Sequence, residues 1–282
     1  MTRDLVYLMP GEAGGVSVVF DEPGRPVNVL RHEVFAALSR VLDEIEAMDP
    51  PPVRVLFTSG KPGTFIVGAD LKVIRDAADD ELGAVLKQGQ DVLGRIASLS
   101  MPTVAVMGGA ALGGGLEVAL ACDARVAAAG EKPVFGLPEV TLGLVPGWGG
   151  TVRLPLVVGV DAAVPLLLSG RALTPAEAMG LGLVDAVVPA EAKTDAAASV
   201  VPAKPREPEG WAAVLERSRA ELVALDPLRQ PAGTAMLETL EHGLRDGEQA
   251  GLDAERRNLV ALRNTDEGRE LIGQFFEKRR PK

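Results

Sequence analysis

Between Arg95 and Glu117 the chain carries no charged side chain. A stretch so long and so apolar suits either a bilayer or a protein core. Its own residues decide between them. It contains Pro102, three hydroxyl residues and glycines at 108, 109, 113, 114 and 115. Irregular, glycine-rich backbone is not tolerated facing lipid, where each peptide group must find a partner within the span. The stretch therefore reads as a buried strand over 103–107, a tight glycine loop, and a short helix over 116–121. The opening MTRDLVYLMPGEAGG is too acidic, and too short in its apolar run, to be a secretory leader. The expectation is a chain without membrane insertion, located in the cytoplasm.

The flanking sequence alternates strand and helix signals. Residues 16–20 are β-branched and end in Asp21-Glu22-Pro23-Gly24, a strong turn cluster. Residues 31–48 repeat apolar side chains on one helical face at Val34, Leu38, Val41, Leu42 and Ile45. Residues 53–58 read as a buried strand, 61–70 as a glycine-rich loop, and 80–99 as an amphipathic helix. A further strand is expected over 124–128. Thr174-Pro175-Ala176-Glu177 combines a capping box with a first-turn proline, so a helix starts there and ends near Gly180 or Gly182. Residues 183–188 return to strand. The reading is an α/β core over 1–190 and a helical region over 191–282. Within the latter, 192–210 is Ala- and Pro-rich and reads as a loose connection. Four helices follow, the first carrying Val214, Leu215, Leu222 and Leu225.

Composition narrows the chemistry. Apolar residues make up 47% and charged residues 24%, which excludes wholesale disorder. The 29 basic and 39 acidic residues show no basic block, and aromatics are only 4%, so phosphate clamps and base-stacking platforms are missing and nucleic acid is not an expected partner. One cysteine makes neither an internal disulfide nor a Cys-rich zinc site. His32 and His242 form no paired metal motif and sit in no nucleophile motif, so no metal is expected. Carboxylates, backbone amides or a cofactor must carry any reaction.

Three segments hold more glycine than packing needs: FIVGADLK, GGAALGGGLE and FGLPEV continuing to PGWGG. Glycines before a helix cost conformational entropy. Two readings stand on them alone: amides presented to an anion or oxyanion, or a tight strand-to-helix turn. The dinucleotide fingerprint fails, because a match starting at Gly113 needs glycine where Val118 stands, and no Gly-Lys-Ser/Thr ending follows. Glu117 and Glu139 lie beside these loops in apolar sequence. Taken singly, Glu117 reads as a helix-dipole partner and Glu139 as an exposed turn residue. Together they suit general acid–base work.

At these residues the chain resembles the crotonase, or enoyl-CoA hydratase/isomerase, superfamily. The resemblance rests on five segments in order: RPVNVL, FIVGADLK, GGAALGGGLEVALACDARVA, FGLPEVTLGLVPGWGGTVRLP and LTPAEAMGLGLVDAVVP. It implies a ββα spiral core with a C-terminal helical region. FIVGAD and the ending LRNTDEGRELIGQFFEKRR are similar to the hydratase part of multifunctional β-oxidation α-subunits. With the sequence stopping at Lys282, the expectation is no dehydrogenase part.

The resemblance also implies roles. The amides of Ala69 and Gly114 would hold the thioester oxygen. Glu117 and Glu139 match the two hydratase glutamates, and Gly147 a backbone contact near the attacking water. CoA would lie along Phe65, Val67, Gly68, Asp70, Leu71 and Lys72, largely on backbone atoms, with Gly113 and Trp148 also lining the substrate. Asp70 reads as structural, and Lys72 as either a phosphate contact or a solvated lysine. Trp148 stands where relatives carry a smaller residue or Phe; it either crowds the acyl end or packs away. CoA belongs to the substrate, so no separate cofactor is expected. Partners implied are an acyl-CoA thioester, further copies of the chain as a trimer or dimer of trimers, and a separate dehydrogenase or thiolase docked on the helical region. Two alternatives remain: an isomerase or other crotonase reaction, and a non-catalytic acyl-CoA-binding or scaffold subunit.

Overall fold

Apolar β-branched runs separated by amphipathic helices can pair in parallel, each helix carrying the chain back across the sheet. The computed structural model, which describes residues 4–132, 134–202 and 205–278, shows this arrangement. In chain order the first elements are β1 (Val6–Pro10), β2 (Val16–Phe20), α1 (His32–Glu46), β3 (Val55–Ser59), β4 (Thr64–Ile66), α2 (Leu71–Asp76) and α3 (Asp79–Ala97). Next come β5 (Thr103–Met107), β6 (Ala110–Leu112), α4 (Gly114–Leu120), β7 (Ala124–Ala128), β8 (Phe135–Gly136), α5 (Gly150–Val158) and α6 (Val160–Ser169). The last are α7 (Pro175–Leu181), β9 (Ala186–Val188), α8 (Lys193–Ser199), α9 (Trp211–Glu221), α10 (Gln230–Asp246), α11 (Glu248–Arg263) and α12 (Asp266–Lys278).

The chain divides into two bodies. The first holds the chain through Ala69, Gln88–Phe135, and the segment from Leu173 up to the Pro205 boundary; the second holds Asp70–Lys87, Gly136–Ala172 and the segment from Pro205 on. In the first body a six-stranded sheet runs β1-β2-β3-β5-β7-β9. β1 and β2 are an antiparallel hairpin; every later pairing is parallel. A second, short sheet is ordered β4-β6-β8. Successive strands thus alternate between sheets, β3 then β4, β5 then β6, β7 then β8. This is the expected ββα spiral.

Helix α1 buries Val34, Phe35, Leu38, Val41, Leu42 and Ile45. Each such side chain contributes about 1.5–3 kcal/mol before ordering costs. Beyond the β7 register, Arg125 stitches β7 to the turn before β9. It donates to the Leu183 and Cys122 carbonyls, both at 2.8 Å, and its Nη2 lies 3.3 Å from Asp185. Burial pulls this guanidinium below its ordinary value, and the Asp185 charge acts against that. Thr174 caps α7 through the expected capping box, and Gly182 ends the helix in left-handed geometry.

Some elements differ from the sequence reading. The loop expected over 61–70 contains β4, whose three residues are all buried and which is defined by pairing with β6. The connection expected over 192–210 contains α8. Its Ala-rich sequence favours helix, and Ala197 packs with Leu56, Val104, Val106, Ala124 and Val126. Leu222 and Leu225 leave α9, because a 3₁₀ turn follows Glu221. Strand β1 and helices α5 and α6 were not read. The helices contain Pro155 and Pro165, which interrupt a helical signal.

The second body is helical among its described residues. α10 and α11 form a hairpin through Gly247, and they close on each other where Gly251 faces the Gly243 backbone. No helix among the described residues is long and apolar enough to cross a membrane.

Candidate active site

In the first body the site is built from four loops at strand ends. Asn28 organises them. It is 4% exposed, and its Oδ1 accepts the Glu22 N–H at 3.0 Å. Its Nδ2 lies within hydrogen-bond distance of the Phe20 carbonyl (3.0 Å), Ser59 Oγ (2.9 Å) and the Phe65 carbonyl (3.0 Å). One amide thus ties the ends of β2, β3 and β4 together. The adjacent backbone continues the pairing: Val67 N–H donates to the Asn28 carbonyl at 3.0 Å, and Leu30 N–H to the Gly68 carbonyl at 2.9 Å. A parallel bridge then joins Leu30 to Ala69. The sequence motif RPVNVL contained this residue, but its role as a junction depends on strand ends more than thirty residues away.

The second component is the start of α4. Gly113 precedes the helix at φ +53°, and its carbonyl accepts from the Leu116 and Glu117 amides at 2.8 and 3.1 Å. The first-turn amides of a helix lack intrahelical acceptors, and Gly114 occupies that turn. Gly115 shows why the sequence is glycine here. A Cβ on it would lie 2.0 Å from the Ile66 carbonyl oxygen, so only a residue without one allows α4 to sit on β4. A Cβ on Gly68 would lie 3.4 Å from the Leu112 carbonyl. The 66–69 and 112–115 segments are therefore side by side, and they bring Ala69, Gly68, Gly113 and Gly114 into one neighbourhood. Glu117 follows within the first turn of α4 and is 1% exposed. Carboxylates this buried are rare in protein interiors.

Other site residues from the sequence reading take definite places. The Phe65 ring is fully buried, edge-on to Phe20 at 6.1 Å between centroids. Val67 is half-buried. Asp70 caps α2 by accepting the Lys72 N–H at 3.0 Å, Leu71 is half-buried, and the Lys72 side chain is exposed. Within the second body, α2 is held from its far end: Arg263 donates to the Ile74 carbonyl at 2.8 Å and pairs with Asp79, and Arg75 stacks over the Phe276 ring at 4.3 Å.

Glu139 opens a 3₁₀ turn, Glu139–Leu142, in the second body and is half-buried. Thr141 Oγ1 donates to the Pro138 carbonyl at 2.7 Å, and Leu144 N–H to the Glu139 carbonyl at 3.0 Å. The turn is packed by Gly170 at the end of α6 and by Gly268 and Leu271 of α12. Gly147 and Trp148 follow on the same segment, both buried. Leu86 and Leu259 flank Gly147 so closely that a Cβ would lie 2.7 and 2.9 Å from their methyl carbons.

Two residues near this loop escaped the sequence reading. Arg153 Nη1 donates to the Trp148 carbonyl at 2.9 Å. Glu255, on α11, accepts from Gly149 and Thr151. A signal for Glu255 was present: it falls on the stripe Leu252, Leu259, Leu262, a carboxylate at a core-facing position. His32 and His242 play no part in either loop cluster; they contact Gln88 and Asp246 respectively. Among the described residues no three His, Cys, Asp or Glu side chains gather as metal ligands.

The Enoyl-CoA hydratase/isomerase family matches residues 12–216, a span that includes both loop clusters up to Trp148. The chain belongs to this family. The crotonase resemblance of its five motifs is thereby established. Among relatives, the fatty acid oxidation complex subunit alpha of Idiomarina loihiensis is 36% identical over 296 residues, covering 98% of this chain. The chain spans only 41% of that relative. Among solved structures, an enoyl-CoA hydratase from Bacillus anthracis is 27% identical with a TM-score of 0.64, covering 99% of this chain and 98% of its own. The human mitochondrial delta3-delta2-enoyl-CoA isomerase is 26% identical with a TM-score of 0.70, covering 97% of each chain. Solved structures similar to this chain thus include both a hydratase and an isomerase.

Proposed function

We propose that the chain is an enoyl-CoA hydratase of fatty-acid β-oxidation, adding water across the double bond of trans-2-enoyl-CoA thioesters. The observation that carries the reading is Glu117. It is a carboxylate 1% exposed, in the first turn of a helix whose opening glycines lie against the Ala69 loop. The α-subunit relative supports the pathway.

In this reading the amides of Ala69 and Gly114 receive the thioester oxygen. Negative charge develops on that oxygen as the β-carbon is attacked, and fixed donors stabilise it without reorganising. Glu117 takes a proton from the water whose oxygen bonds to the β-carbon. Glu139 delivers a proton to the α-carbon, and the product is a 3-hydroxyacyl-CoA. An isomerase needs one carboxylate to move a proton between two carbons; the presence of both Glu117 and Glu139 favours hydration. CoA lies along Phe65, Val67, Gly68, Asp70, Leu71 and Lys72, with Gly113, Gly147 and Trp148 toward the acyl part. No cofactor beyond the CoA of the substrate takes part. The protein works in the cytoplasm as a trimer or dimer of trimers, which light scattering tests, and its helical region offers a docking face for a separate dehydrogenase or thiolase, which co-purification tests.

The deciding experiment is hydration of crotonyl-CoA by the wild-type chain and by Glu117→Gln and Glu139→Gln. Each variant should lose about 10²-fold or more in kcat, the range for removing a positioned acid or base. Wild-type rates in both variants would sink the two-glutamate mechanism. Sensitivity to Glu139 alone, for double-bond migration alone, would make the chain an isomerase. CoA binding without turnover of any enoyl-CoA would make it a binding subunit.

A further inference from the structure

Glu255 is fully buried on α11, at 0% exposure. Its Oε2 accepts the Gly149 N–H at 2.6 Å, and its Oε1 accepts the Thr151 N–H at 2.8 Å and the Thr151 hydroxyl at 2.5 Å. Leucines at 252 and 259 share its stripe, so an apolar residue at 255 would pack there without the cost of burying a carboxylate. What the carboxylate adds is an acceptor. Helix α5 starts after Gly149, which has left-handed geometry (φ +104°) and no side chain with which to cap the helix. Glu255 caps it from another helix, more than a hundred residues along the chain. Its charge also suits a helix N-terminus.

The carbonyl side of the same loop is held as well. Arg153 donates to the Trp148 carbonyl at 2.9 Å and pairs with Glu248 at 2.9 Å. Leu86 and Leu259 close on Gly147. The 147–151 loop is thus fixed at the Gly149 and Thr151 amides, at the Trp148 carbonyl and along one flank, although glycines at 147, 149 and 150 would leave such a loop free to move. These anchors and the Glu139 turn belong to one body.

We propose that Glu255 is a positioning residue for the reaction: it holds the 147–151 loop so that Gly147 and Trp148 keep their place along the segment that carries Glu139. The proposal rests on the hydratase reading for its kinetic consequence, but not for the loop clamp itself. Glutamine has the same volume, yet one of its two ends is an NH₂ group. Turned toward a backbone N–H it sets donor against donor, so Glu255→Gln loses one leg of the clamp without leaving a cavity.

The test uses the full chain with Glu255→Gln, Glu255→Asp and Thr151→Val, measuring crotonyl-CoA kinetics, thermal melting, and hydrogen exchange over residues 144–152. Glu255→Gln should hold KM within about twofold while kcat falls about tenfold or more, the split expected when placement in the transition state suffers. Exchange over 144–152 should quicken. Glu255→Asp, which keeps the charge, should recover part of kcat. If Glu255→Gln does not fold, Thr151→Val, which removes only the hydroxyl donor, should show the same split more weakly. A folded Glu255→Gln with kcat within about twofold of wild type overturns the proposal. So does a fall in kcat that appears only where the variant is melting. If the wild-type chain hydrates no enoyl-CoA, the hydratase reading fails by itself and exchange decides the clamp: unchanged exchange overturns it, and faster exchange upholds it.

Discussion

Replacing Gly115 by alanine adds one methyl group at one of the tightest backbone approaches in the first body, matched at Gly109. The new Cβ would stand 2.0 Å from the Ile66 carbonyl oxygen, 2.7 Å from its carbon and 2.9 Å from the Ile66 Cβ. Two of these three atoms are backbone, so no side chain can rotate away. Relief to ordinary contact, which begins at 3.4 Å, requires α4 and β4 to part by about 1.4 Å from the 2.0 Å approach. Overpacking on this scale costs about 1–3 kcal/mol, and here the upper end applies because the obstruction is a strand. The displacement also moves the Gly114 amide and Glu117 relative to Ala69. A misplacement of about 1 Å can cost about 10²-fold in rate. Urea unfolding reads the first effect and crotonyl-CoA hydration the second. Gly83→Ala is the control: Gly83 lies within α3 and a Cβ there meets nothing within 4 Å. Helix propensity alone should make that variant more stable by about 0.5–1 kcal/mol. The same substitution should thus have opposite signs at 115 and 83. If Gly115→Ala unfolds within about 0.5 kcal/mol of wild type, the close approach of α4 to β4 does not constrain residue 115.

Two further outcomes follow from charged groups. Asp185→Asn strands the Arg125 guanidinium, which is 4% exposed at its side chain. It should cost about 3 kcal/mol in urea unfolding, the low end for breaking a buried pair, because the carbonyls of Leu183 and Cys122 still accept from Arg125. A loss below about 1 kcal/mol would refute the role. Asp79 lies below its ordinary value of 3.8, first through its hydrogen bond from Arg263 and then from Asn264. A carboxyl depressed on folding stabilises fully above its unfolded value, and that contribution is lost as pH falls through the folded one. Asp79→Asn should therefore melt below wild type at pH 7, and the gap should be smaller at a pH well below 3.8. An equal gap at both pH values would show that the pairing is not electrostatic.

The elements legible in the sequence were those whose reason is local. Residues 16–20, 103–107 and 124–128 are strands as read, because each is a short β-branched or apolar run ended by turn residues. Thr174 caps its helix because both partners lie within four residues. β4 was not legible: three residues carry no period, and its pairing with β6 lies more than forty residues away. The helix α8 was hidden for a similar reason, since Ala197 is apolar enough to pack but not to make a stripe. At the site, glycine density and flanking acids located both loop clusters. The clamping residues left a trace in the sequence, but what they hold did not. Asn28 and Glu255 act on backbone groups far along the chain, and nothing beside them in sequence shows which groups those are.

Burial alone does not set Glu117, the acid proposed to react, apart from the other buried acids of this chain. Glu22, Glu117 and Glu255 are all nearly inaccessible. Glu22 pairs with Arg25 and Arg31, and Glu255 caps α5, so each has a structural reason for its place. Glu117 is set apart by position, in the first turn of a helix that reaches β4 only because Gly115 lacks a Cβ. The two bodies therefore fix their loops by different means. In the first, close backbone approach does it, and any side chain at Gly115 should damage stability and chemistry together. In the second, side-chain clamps do it, through Glu255 and Arg153, and a volume-neutral change can loosen the loop while the helices stay packed. Stability and turnover should be inseparable around α4 and separable around residues 147–151, because one loop is held by the absence of atoms and the other by hydrogen bonds.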